Sequence, residues 1–68
     1  MEDVDWTSVF TEGNILANSG KHTEALLNYE LAASIRPGHA LTWNNIGVAK
    51  LCLGEFNQAI PHFSKAID

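Results

Sequence analysis

The chain has 68 residues, 46% of them hydrophobic and 18% charged, with a formal net charge of −4. A chain of that length holds one small domain, whose single core supplies only roughly 3–5 kcal/mol, and its many, evenly spread apolar residues exclude a disordered polymer. The four cations, Lys21, Arg36, Lys50 and Lys65, are scattered, which argues against nucleic acid and anionic membrane surfaces as partners, because both call for clustered positive charge.

One cysteine, Cys52, allows no internal disulfide, which fits a cytoplasmic or other reducing intracellular compartment. The opening "MEDVDW" is acidic where a secretory leader is basic and then apolar. No apolar run approaches the ~20 residues that span a bilayer.

In chain order, "DWTSVFTEGNILANSG" runs without proline from Asp5, an N-cap residue type, to Gly20, a residue that stops helices. "TEALLNYELAASIRP" follows, with Thr23 as the expected N-cap, Glu24 in the favourable first turn and Pro37 at the end. Leu26, Tyr29 and Ala33 recur at three and four residues and so share one face. A third helix is expected in "HALTWNNIGVAKLCLG", ending at Gly54, and a fourth in "NQAIPHFSKAID", capped by Asn57. Pro61 falls in the first turn of that last helix, where its missing N–H costs little. Connections this short make neighbouring helices antiparallel.

An offset of thirty-four residues aligns Gly13 with Gly47, Gly20 with Gly54, Ala25 with Ala59, Ala32 with Ala66 and Tyr29 with Phe63. Four identical small residues and an aromatic pair in the same order make the chain a tandem repeat. Glycine and alanine are expected where helices cross closely, with Tyr29, Trp43 and Phe63 filling the space between them.

These residues resemble the tetratricopeptide repeat, a helix–turn–helix unit of about thirty-four residues. Trp43, Ile46-Gly47, Gly54-Glu55-Phe56, Ala59, Phe63 and Ala66 carry the resemblance in the second half, and Gly13, Gly20, Ala25, Tyr29, Ala32 and Pro37 in the first. It implies an all-α fold of two tandem antiparallel repeats, about 6–39 and 40–68, forming four helices and the start of a right-handed α-solenoid. The second repeat is expected to be truncated at its C-terminal end. Val9, Glu12, His22 and Lys50 depart from the family pattern, where larger apolar or aromatic residues are usual.

Members of this family are non-catalytic scaffolds, so the resemblance implies a protein or peptide partner held in a concave groove lined by the first helix of each repeat. Carried onto this chain, the groove residues are Thr7, Phe10, Thr11, Asn14, Ala17 and Asn18 from the first repeat, and Leu41, Asn44, Asn45, Val48, Leu51 and Cys52 from the second. Asparagine forms helices poorly, and its amide both donates and accepts, so it can grip a peptide backbone without reading side chains. The bland alternative is a solvated amide or one bonded to a nearby carbonyl.

Asn14 and Asn45 also match two asparagines with which some family members clamp acidic chain termini, but Phe10 stands where that clamp has a lysine. Without cations the clamp is weak, and Phe10 implies an apolar pocket or packing against its neighbours instead. Cys52 has no histidine near it in sequence, and His22, His39 and His62 lack metal-ligand spacing, so no catalytic residue, metal or cofactor is expected and the histidines read as surface residues. Two other functions remain open: a homodimer through the uncapped face of Ile60, Phe63 and Ile67, and the front region of a longer enzyme or chaperone cofactor.

Overall fold

A computed structural model describes residues 5–54 together with 65 and 66. Three helices are seen there, α1 (Trp6–Asn18), α2 (His22–Ile35) and α3 (Ala40–Cys52). The expected fourth helix, with Asn57 and Pro61, falls mostly outside the described residues, of which Lys65 and Ala66 are helical.

Local sequence accounts for most of the helix ends. Asp5, in extended conformation, accepts a hydrogen bond from the Thr7 backbone N–H at 3.0 Å and so caps α1. At the other end Gly20 takes φ 81°. Its N–H bonds to Ala17 O at 3.0 Å, and the Lys21 N–H bonds to Leu16 O at 2.9 Å. That pair of bonds is the Schellman closure, which needs a left-handed residue at this position and so favours glycine.

The start of α2 corrects the sequence reading. Thr23 lies inside the first turn and is exposed, whereas Lys21 occupies the N-cap without a side-chain cap bond. Because the Schellman turn already delivers Lys21 in position, the Ala25 N–H reaches Lys21 O at 2.9 Å and the helix begins before the threonine. Pro37 ends α2 as expected: Arg36 leaves the helical region at φ −135°, ψ 81°, the non-helical conformation that a following proline favours.

Arg36 at the end of α2 lies 5.0 Å over the ring of Trp6 at the start of α1, which makes the two helices antiparallel. The middle helix, α2, packs against both α1 and α3. Its inner face is made of Ala25, Tyr29, Ala32 and Ala33, with Ile46 of α3 buried beside it. The small alanines let the backbones approach, and the Tyr29 ring fills the remaining space. Gly13 completes the fit, since a Cβ there would sit 2.7 Å from Tyr29 Cε1. Lys50, a departure from the family's aromatic, is only 9% exposed, so its methylene stem occupies interior space.

Candidate binding groove

On α1, Asn14, Ala17 and Asn18 stand at spacings of three and four, and on α3 so do Asn45, Val48 and Ala49. That spacing puts each trio on one side of its helix. The two trios face each other across an open groove of about 420 Å³, with Tyr29 of α2 and His22 also lining it.

Three of these side chains are joined. The Tyr29 hydroxyl donates to Asn14 Oδ1 at 2.6 Å, and Asn45 Nδ2 donates to the same oxygen at 3.1 Å. One carbonyl oxygen thus ties all three helices together. A buried tyrosine needs a partner for its hydroxyl, and Asn14 supplies it inside an otherwise apolar crossing. Burial pushes the Tyr29 phenol above its ordinary value, and a hydrogen bond with Asn45 works in the opposite direction. With Asn14 Oδ1 doubly engaged, Asn14 Nδ2 and Asn45 Oδ1 keep capacity to donate and accept. Among the described groove-lining residues none is a lysine, an arginine or a carboxylate, so these residues offer amide, phenol and imidazole hydrogen-bonding groups between apolar walls.

Of the residues expected in a groove, the structure brings together Asn14, Ala17, Asn18, Asn45 and Val48. Phe10 is elsewhere. Its ring centroid is 5.7 Å from that of Tyr29 and meets His39 edge-on at 5.2 Å, while Trp6 stacks near both. Phe10 therefore packs against its aromatic neighbours on this side of α1. Thr7, Thr11, Leu41, Leu51 and Cys52 are exposed and Asn44 is half-buried, and none of these six lines the groove. Ile60, Phe63, Ile67 and His62 lie outside the described residues.

The histidines also depart from expectation. His39 is half-buried, bonded through Nδ1 to Thr42 Oγ1 at 2.7 Å and tilted at 50° against the Trp6 ring, and His22 is a half-buried groove residue. Sequence reasoning missed His22, Tyr29 and Ala49 as groove residues. For Tyr29 a signal existed, because the position that carries phenylalanine in the second repeat's sequence carries a hydroxyl in the first. Trp43, expected as filler, is half-buried and donates its indole N–H to Pro37 O at 2.7 Å, which ties α3 to the α2–α3 turn.

Antiparallel helices joined by a glycine-closed turn, crossing on glycine and alanine, define a class of helical repeat proteins that present surfaces rather than catalytic pockets. The family model described as tetratricopeptide repeat matches residues 8–39 and 40–68, and the chain belongs to that family as two tandem repeats. Repeats of this kind generally mediate protein–protein interaction and form a non-catalytic scaffold. Comparison with curated proteins gives no match. Among the described residues no helix is long and apolar enough to cross a membrane.

Proposed function

We propose that this protein binds an extended peptide segment of a partner protein in the groove between α1 and α3. The observation that carries the reading is the Asn14–Tyr29–Asn45 junction, which positions a free amide donor and a free amide acceptor at the base of an open groove. A peptide group presents the complementary pair, so its carbonyl is placed to accept from Asn14 Nδ2 and its N–H to donate to Asn45 Oδ1. Ala17 and Val48 supply apolar walls for flanking side chains. The neutral lining favours uncharged segments over acidic termini, because a carboxylate gains most from charged donors.

Asn18 gives the cleanest test, since it lines the groove, is exposed and makes no side-chain hydrogen bond among the described residues. Peptides selected from a display library are expected to lose about tenfold in affinity on Asn18→Ala and more on Asn14→Ala with Asn45→Ala. Helicity should be unchanged for Asn18→Ala. Side-chain amide resonances of Asn14, Asn18 and Asn45 should shift on peptide addition, and shifts confined to other faces would refute the groove assignment.

A further inference from the structure

The middle helix, α2, is apolar on two opposite sides. Ala25, Tyr29, Ala32 and Ala33 are buried, yet Leu27, Leu31 and Ile35 are 63%, 46% and 40% exposed. Their spacing of four residues aligns them in one stripe about 12 Å long, turned away from the core. A surface helix normally keeps its outward face polar, and a second apolar face marks a helix that buries it against something else.

Repeat packing does not require this stripe. At the thirty-four-residue offset the buried positions recur, Ala25 with Ala59, Tyr29 with Phe63 and Ala32 with Ala66. The stripe does not recur: Leu27 aligns with Pro61 and Leu31 with Lys65. Two leucines thus stand where the second repeat's sequence carries a proline and a lysine.

Charge indicates the occupant. Glu24 precedes Leu27 by one turn, and Glu30 follows it by one turn on the other flank. Neither carboxylate has an ion-pair partner among the described residues, while Arg36, the cation at the helix end, is stacked on Trp6. A second copy fits this face poorly. Antiparallel pairing about Leu31 would bring the two Glu30 carboxylates together, on chains that each carry a net −4.

The geometry points to a second interaction surface on α2, in which Leu27, Leu31 and Ile35 receive the apolar stripe of a basic amphipathic helix from another protein. Lysine or arginine residues flanking that stripe would pair with Glu24 and Glu30. This surface is independent of the groove, and one chain could engage both partners at once.

The test uses the full chain and a labelled helical peptide of about four turns, with leucines along one face and lysines on both flanks. A twin peptide carries glutamate in place of lysine. Fluorescence anisotropy should show saturable binding of the lysine peptide only. Leu27→Gln with Leu31→Gln should weaken it about tenfold or more. Glu24→Gln with Glu30→Gln should weaken it several-fold and reduce its salt dependence, and Asn18→Ala should leave it unchanged. Equal binding of the two peptides, or indifference to the leucine pair, overturns the inference. So does a wild-type dimer in sedimentation that the leucine substitutions dissolve, because a second copy would then cover the face. Binding of anionic vesicles lost in the leucine variant overturns it too. Circular dichroism checks that the leucine variant is folded, and the glutamate pair, exposed on the surface, keeps the test decisive if it is not.

Discussion

Gly13→Ala tests the close approach of α1 to the Tyr29 ring. A Cβ added at Gly13 would lie 2.7 Å from Tyr29 Cε1, 2.8 Å from Cδ1 and 3.3 Å from Cζ. Ordinary carbon contacts begin near ~3.5 Å, so the ring must retreat by roughly 0.7–1 Å. It has little room to do so. Tyr29 is 3% exposed, the Phe10 ring packs beside it and its hydroxyl is held by Asn14 at 2.6 Å. Overpacking of this kind costs about 1–3 kcal/mol, and stretching the buried hydroxyl bond adds about 1 kcal/mol. Against this, alanine improves helix propensity by about 1 kcal/mol over glycine.

The expected net loss is therefore about 1–3 kcal/mol, a large share of what so small a domain holds. Denaturant unfolding followed by far-ultraviolet circular dichroism gives the number. A fall in melting temperature of about 4–8 °C per kcal/mol should accompany it. The double variant Gly13→Ala with Tyr29→Leu should recover the propensity gain, leaving a coupling energy of about 0.5–3 kcal/mol. A neutral or stabilising Gly13→Ala, or a coupling of zero, would refute the argument that the ring sets the identity of residue 13.

Three further outcomes are expected. Asp5→Ala removes the cap bond to the Thr7 N–H and should cost about 1 kcal/mol, with Asp5→Asn restoring most of it in the same unfolding measurement. Asn14→Ala leaves the buried Tyr29 hydroxyl without its 2.6 Å acceptor and should cost about 1–3 kcal/mol; in a Tyr29→Phe background, where no hydroxyl is orphaned, the loss should be smaller. Tyr29 is the chain's one tyrosine, and burial raises its phenol above the ordinary value of 10.0. Unfolded chains therefore release this proton first, so its contribution to stability is fully present below about pH 10 and is lost as pH rises through the higher folded value. Phenolate absorbance should show the late ionisation, Tyr29→Phe should flatten this part of the stability profile, and ionisation at or below the ordinary value would count against the burial.

Among the binding residues, Asn14 and Asn45 were legible in the sequence as helix residues without a propensity reason to be there. What they do was not legible. The bland alternatives, solvation or a local carbonyl, both differ from the bond they make, which joins residues thirty-one positions apart. Phe10 illustrates the same gap. Its place on α1 follows from periodicity, but whether it faces the groove or the Trp6–His39 cluster depends on how the α2–α3 turn folds back over α1.

Sequence alone determined the repeat and its punctuation: the Asp5 cap, the left-handed Gly20, the stop at Pro37, and glycine and alanine at the crossings. Each of these is a local constraint, set by backbone conformation or side-chain size and therefore written in residue type and spacing. Tertiary structure decided which polar groups meet. It placed Tyr29 between two asparagines, moved the start of α2 ahead of Thr23 through the Schellman turn, and left Leu27, Leu31 and Ile35 on the outside. Helical periodicity places residues on a face, but the crossing of helices determines what that face meets, and the bonds across a crossing depend on positions far apart in the chain.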